Sequence, residues 1–353
     1  MLTQPASLPS ASLPSAAPIA FPQQTPPEEG TVIQVAPGIL WTRLKLPYLL
    51  NHVNIYLIED HGGWAAIDTG LGTDTTKAAW EALFAGPLNG ARLTRVVCTH
   101  YHPDHVGLVG WLTERFAIPL HMPRTEYLQS LAIQHRAFAA NRPFYETHGL
   151  SKEATDTVTT RGQYYLRQVT GLPTQYIRLA AGEALSIGGR TFNILTGGGH
   201  APEQAMLHCA EDNIFLSADQ VLARISPNIS VDAMEPEANP LGAYLTSLAN
   251  LRQAIPEGAL VLPGHHIPFT GLHTRIDELT THHAERCAMI ADACAITPHS
   301  AAELVPVLFK RELDAHQTSF AFSEVVAHVN YMRFRGELEQ FADEKGALRT
   351  RAV

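Results

Sequence analysis

Apolar and polar positions alternate with a period of two in several short windows of this chain, and with a helical period in others. Thr31–Val35, Ile39–Leu46, Val53–Glu59 and Trp64–Asp68 read as strands because β-branched and apolar residues alternate or cluster in them. A helix from Asp74 to about Phe84 follows, then a buried strand Leu93–Cys98, a helix over about Asp104–Phe116 and a strand Pro119–Met122. The strand pattern resumes at Tyr176–Leu179, Glu183–Ile187, Thr191–Leu195, Gln204–Cys209 and Asn213–Ser217. A helix over Pro240–Ala254 and a strand Ala259–Leu262 close the series. Two similar successions of strands and helices predict an α/β fold of αββα layers: two sheets face to face, helices outside, and chemistry along one edge of the sandwich.

Three segments stand outside that pattern. Residues 1–29 are rich in Pro, Ala and Ser and lack Lys and Arg, so they read as a disordered or extended arm, one able to strap across a neighbouring subunit in a homodimer. Residues 123–170 read as a helical insertion carrying Tyr127, Phe138, Phe144, Tyr145, Tyr164 and Tyr165. Beyond Phe269 the chain turns helical, with helices at His273–Ile296, Ser300–Leu308 and Ser319–Arg333 and a tail that turns at Gly346. This is the outline of a winged-helix-like module. The expected division is an arm (1–29), a catalytic domain (30–272) and a C-terminal module (273–353).

Composition narrows the function. The formal charge of −9 argues against nucleic acid or anionic lipid as the general partner. No uninterrupted apolar run reaches the roughly 18–20 residues of a membrane span, and prolines break the N-terminal stretch that a secretory signal would need. Cys98, Cys209, Cys287 and Cys294 are too few and too scattered for a disulfide framework. They read as small core residues, and a reducing cytoplasm is the expected compartment.

The chemistry is carried by three separated fragments: Thr99-His100-Tyr101-His102-Pro103-Asp104-His105, Gly197-Gly198-Gly199-His200, and Asp219 with Pro263-Gly264-His265. His100 and His102 are two apart, so in extended backbone both rings share a face. Pro103 holds that segment extended, and Asp104 and His105 open the next helix, whose positive end favours a carboxylate and a neutral imidazole. Five imidazoles and two carboxylates suit borderline metals that take nitrogen and oxygen ligands, zinc first, with iron or manganese admitted by the same set.

The His-x-His-x-Asp-His signature, followed by a Gly-rich His, a strand-end Asp and a Gly-His, resembles the metallo-β-lactamase fold superfamily over roughly residues 31–270. The resemblance implies that His100, His102 and His200 bind one metal, that Asp104, His105 and His265 bind a second, and that Asp219 bridges the two. It also implies that Asp68, in Ile67-Asp68-Thr69-Gly70, orients a ligand histidine. β-Lactamases of this fold commonly carry cysteine at the bridging position, and flavin-linked di-iron relatives carry Glu where this chain has His102. Asp219 and His102 therefore point to the glyoxalase II, lactonase, thioesterase and nuclease branches.

The implied activity is hydrolysis of a carboxylic thioester, ester or lactone by a hydroxide bridging two divalent ions. Asp104 is the candidate to hold its proton, and metal-bound water or His266 the candidate to protonate the leaving group. From Arg124 to Arg167 the insertion carries six basic residues (Arg124, Arg136, Arg142, Lys152, Arg161, Arg167) against four acidic ones. Such a lid would suit an anionic, partly apolar small molecule, although its aromatics could equally form a local core. Two alternatives remain: a phosphodiesterase or endoribonuclease of the same layout, and a non-catalytic metal-containing sensor or scaffold. Residues 281–353 hold eight basic against ten acidic residues, a poor balance for gripping phosphates.

Overall fold

The computed structural model describes residues 17–135 and 137–353. Strands β1 (Ile33–Ala36), β2 (Ile39–Lys45), β3 (His52–Asp60) and β4 (Gly63–Ile67) run antiparallel, helix α1 (Asp74–Ala85) crosses over, and β5 (Leu93–Val97) joins β4 in parallel. Helices α2 (Pro103–Val106) and α3 (Val109–Phe116) lead to β6 (Leu120–Pro123). The insertion supplies α4 (Arg124–Gln134), a 3-10 turn (Phe138–Asn141), α5 (Arg142–Thr147) and α6 (Lys152–Arg167). Strand β7 (Ile177–Leu179) then completes a seven-stranded sheet whose spatial order follows the sequence. Strands β8 (Ala184–Ile187), β9 (Arg190–Gly197), β10 (Gln204–Cys209) and β11 (Ile214–Ala218) start the second sheet. Helix α7 (Pro240–Ala254) crosses over, and β12 (Leu260–Pro263) lies parallel to β11.

The layers follow from side-chain alternation. Along β3, Val53, Ile55 and Leu57 face a core shared with Trp80 of α1 and Leu112 of α3. Tyr56 and Ile58 face the opposite way, into a core filled by Phe192, Ile194 and Leu207 of the second sheet. A strand apolar on both faces belongs in the middle of such a sandwich. A third core covers the outer face of the second sheet, where Leu248 and Leu251 of α7 meet the C-terminal helices.

One helix expected over 104–116 is two. The break falls at Gly107 and Leu108, where the chain touches the loop after β4; a Cβ on Gly107 would lie 2.4 Å from the Gly72 nitrogen. Thr69 Oγ1 accepts from the Leu108 N–H there and itself donates to the His105 carbonyl. The break is thus a close approach of two strand-end loops, which helical periodicity does not report.

The C-terminal part contains α8 (Leu272–Ile296), α9 (Ala301–Leu308), α10 (Ala315–Phe334) and the hairpin β13 (Leu338–Ala342) and β14 (Leu348–Ala352). α10 begins four residues before the expected Ser319 because Asp314 and Gln317 form a capping box. The insertion packs on this module: Phe144 and His148 meet Phe322, and the Ala302 N–H donates to the His148 carbonyl. Residues 1–16 of the arm and Arg136 of the insertion lie outside the described residues, as do the side chains of Arg161 and Tyr164. The described end of the arm lies on its own chain, with Ala20 paired to Thr270 and Ile19 and Phe21 against the core.

The two sheets are latched at one edge by Asn54, which is 1% exposed. Its amide donates to the Pro263 carbonyl at 2.8 Å, and its oxygen accepts from Trp41 Nε1 at 2.9 Å and Arg43 Nε at 3.1 Å. Tyr56 Oη donates to the same Pro263 carbonyl. Asn54→Ala would strand several buried partners at once and is expected to lower unfolding free energy by about 3 kcal/mol. Urea denaturation checks this, and a loss under about 1 kcal/mol would mean the latch is dispensable.

Candidate metal centre

β4 and β5 are adjacent and parallel, so the residues just past their ends meet. Asp68 takes a left-handed backbone (φ 63°) that turns its carboxylate towards the loop after β5. There it accepts from the Thr99 N–H at 2.8 Å, from Thr99 Oγ1 at 2.9 Å and from His105 Nδ1 at 2.8 Å. Because the Thr99 hydroxyl gives its hydrogen to Asp68, it accepts from His100 Nδ1, 2.9 Å away. In both rings Nδ1 is thereby committed and Nε2 is aimed into the cluster; His100 is neutral, whereas against burial the Asp219, Asp104 and Asp68 carboxylates hold His105 well above the usual histidine value. Both Nε2 atoms are buried without a hydrogen-bond partner.

The second sheet repeats the device. β11 and β12 are also adjacent and parallel, and Asp219 and His265 follow their ends. His265 Nδ1 donates to the His52 carbonyl at 2.7 Å, and His200 Nδ1 donates to the Asn228 carbonyl at 2.8 Å. Both rings again present Nε2. Asp219 Oδ2 lies 3.2 Å from Nε2 of His265, 3.4 Å from that of His200 and 3.6 Å from that of His105. Asp104 Oδ2 is 3.4 Å from His265 Nε2, and His102 Nδ1 is 3.0 Å from His200 Nε2. Three overlapping groups result: His100, His102 and His200; His100, His105 and Asp219; Asp104, His105 and His265. In each, the donor atoms lie within 4.8 Å of one another.

Two glycines make the convergence possible. Gly199 has φ 112°, and a Cβ there would lie 2.4 Å from Tyr244 Cβ. At Gly264 a Cβ would meet Asp219 Oδ1 at 2.1 Å and His105 Cε1 at 3.1 Å.

Electrostatics divide the cluster. Burial and then neighbouring imidazoles hold His100 well below the usual histidine value and bring His102 to about 3, so both are neutral. Against burial, His265 and His105 hold the Asp219 carboxyl well below the usual carboxylate range. Burial likewise opposes charge on His265, yet Asp219 and Asp104 raise it to about 10. The pair of carboxylates thus draws positive charge to this half of the cluster. Imidazole nitrogens around buried carboxylates are the donor set that a divalent zinc-like ion takes, and a bound ion would displace the protons that His105 and His265 hold.

Several supporting residues escape a reading of the sequence. Glu126 of α4 is fully buried and accepts from the backbone N–H groups of Tyr101 and Glu203; burial raises its carboxyl to about 7. Tyr165 Oη donates to the Tyr101 carbonyl. The insertion therefore pins the His-x-His loop through these two side chains. Two of its other aromatics fill cores: Tyr127 stacks on Tyr176 at 4.0 Å, and Phe144 packs with the C-terminal helices. His52 and Asn228 contribute only backbone carbonyls, for which a sequence carries no signal. His266, the candidate proton donor, sits beside His52 at a ring separation of 5.7 Å. Burial, then His265 and Arg43, bring it to about 4, so it is neutral. It belongs to none of the three groups.

The fold and the cluster define a metallo-hydrolase of the β-lactamase type. The Metallo-beta-lactamase superfamily model matches residues 49–265, and the chain belongs to that superfamily. The model of the Metallo-beta-lactamase-like, C-terminal domain matches residues 287–353. The chain is similar to a crystal structure of a beta-lactamase domain protein from Burkholderia ambifaria: 38% identity, TM-score 0.89, covering 95% of this chain and 98% of that one. A metallo-beta-lactamase family protein from Thermus thermophilus superposes with TM-score 0.77 at 29% identity, over 90% of this chain and 100% of the other. The probable metallo-hydrolase YqjP of Bacillus subtilis (strain 168) is 23% identical over 304 residues, 83% of this chain and 92% of that protein. The acyl-coenzyme A thioesterase MBLAC2 of Gallus gallus is 26% identical over 238 residues, 65% of this chain and 77% of that protein.

Gly264→Ala would drive Asp219 from its place, since its Cβ meets Asp219 Oδ1 far more closely than it meets the end of β11. Elemental analysis is expected to show severalfold less metal per chain than wild type, with an unchanged far-UV circular dichroism spectrum. Full metal content in the variant would contradict the packing argument.

Proposed function

We propose that the chain is a binuclear hydrolase of carboxylic thioesters, with zinc as its metal. His100, His102 and His200 would hold one ion, Asp104, His105 and His265 the other, and Asp219 would lie between them. The observation that carries this reading is the set of Nε2 atoms of His100, His105, His200 and His265, each aimed by a bond from its own Nδ1 and gathered about Asp219. Four rings oriented through Nδ1 by four separate acceptors represent an arrangement that core histidines do not need. Bound there, two divalent ions would supply Lewis acidity and an activated water.

The protein's own groups then divide the work. Asp68 and the carbonyls of His52 and Asn228 keep the imidazoles aimed. Asp104, 19% exposed at its side chain, is the carboxylate of the cluster most open to solvent; against burial, His105 and His265 hold it well below the usual carboxylate range, so it stays ionised and suited to accept a hydrogen bond from the attacking water. His266 is neutral and belongs to none of the ligand groups, so in this scheme the leaving thiolate departs without it. A thiolate is a good enough leaving group for that route. The likeness to the chicken thioesterase supports an acyl thioester over a lactone or simple ester. The acidic excess in residues 281–353 counts against RNA.

Zinc-loaded protein offered an acyl thioester, a lactone and single-stranded RNA separates these substrates. Thioester turnover is expected, and His102→Ala is expected to reduce kcat/KM at least about 100-fold, the loss of roughly 2.7 kcal/mol of transition-state stabilisation. Cleavage of RNA alone would overturn the thioester assignment. Metal uptake without turnover of any of the three would leave a scaffold.

A further inference from the structure

A fourth group of potential ligands lies outside the centre: His283 of α8 with Glu324 and His328 of α10, all buried. It is built differently from the other three. Both carboxylate oxygens of Glu324 are already engaged, Oε1 by Arg286 Nη1 at 2.5 Å and Oε2 by the Asn228 amide at 3.3 Å. His283 Nδ1 and His328 Nε2 are 3.1 Å apart, and His328 Nδ1 donates to the Glu324 carbonyl at 2.8 Å. A guanidinium seated on the one carboxylate of the group repels a cation. This group is a polar clamp, and its free end is Asn228.

Asn228 is gripped at both ends of its side chain. Glu324 accepts from its amide nitrogen, and Ser230 Oγ donates to its amide oxygen. Its backbone carbonyl is the acceptor that fixes His200 Nδ1 at 2.8 Å. The rest of that loop is held from the same side. Arg275 of α8 donates to the carbonyls of Leu222 and Ile225, and the amide of Asn330 in α10 donates to those of Pro236 and Ala238. The Val231 N–H donates to the Ser323 carbonyl of α10. Much of the stretch between Leu222 and α7 is thus braced by the C-terminal helices.

We propose that Glu324, held by Arg286, is a positioning residue for the metal centre: through Asn228 it sets the orientation of His200, and the C-terminal module is part of the metal-binding apparatus. The inference rests on the metal-centre reading above and is independent of the substrate. An outer partner of a ligand histidine typically controls affinity by about 10–100-fold, because a ring free to rotate must be ordered again on binding.

The test is zinc affinity by chelator competition, together with the melting temperature of the metal-free protein. Asn228→Ala keeps the backbone carbonyl and the Arg286–Glu324 pair but releases residue 228 from its two side-chain anchors. It is expected to weaken zinc binding about tenfold, at the lower end of that range, with little change in metal-free melting temperature. Glu324→Gln is expected to weaken it similarly, and the double variant no further, since both act through one path. A purely structural role would lower the melting temperature and leave zinc affinity within about twofold of wild type, which overturns the proposal. Additive losses in the double variant would also overturn it. Should Glu324→Gln fail to fold, Asn228→Ala alone decides. A wild-type chain that takes up no zinc overturns the metal reading and this inference together, whereas wild-type uptake with unaltered variants overturns only the inference.

Discussion

Four hydrogen bonds from Nδ1 atoms constrain everything else in this protein. A neutral imidazole carries one hydrogen, and whichever nitrogen donates leaves the other bare. His100 gives its hydrogen to Thr99, His105 to Asp68, His200 to the Asn228 carbonyl and His265 to the His52 carbonyl. The acceptors come from four places in the chain, so the sandwich must close correctly before the four Nε2 atoms can meet. Leaving such nitrogens buried costs free energy that only a bound cation or proton offsets. The left-handed residues Asp68 and Ala218, each at a strand end facing the cluster, fit the same reasoning, since strain of this kind persists where the surroundings enforce it.

Much of this is legible from the residues. The period-two windows predict every strand of both sheets within a few positions, and the spacing of His100, His102, Asp104 and His105 reads as one loop feeding two neighbouring positions. The structure does bring those residues together with His200, Asp219 and His265. The three-helix and hairpin outline of the C-terminal part is legible too, from helical periodicity and the turn at Gly346.

What stays hidden is of one kind. Asn54, Glu126 and Asn228 are polar residues whose importance lies in which backbone group they reach or offer, and nothing local in the sequence marks that. Glu126 looks like an ordinary surface glutamate near the start of a helix, yet it is buried and holds Tyr101 between two histidines of the cluster. The aromatic content of the insertion reads equally as a roof over a substrate and as a local core; Phe144 and Tyr127 fill cores, and Tyr165 braces a loop. The insertion and the C-terminal module both act as buttresses, each reaching the centre from a different side.

The central claim is that the gathered nitrogens and carboxylates are a pair of metal sites. Anomalous diffraction at the zinc edge, on crystals grown from zinc-loaded protein, tests it most directly. Two peaks are expected, one within about 2.0–2.2 Å of donor atoms of His100, His102 and His200 and one similarly placed against Asp104, His105 and His265. No peak there, or density only at surface side chains, would contradict it.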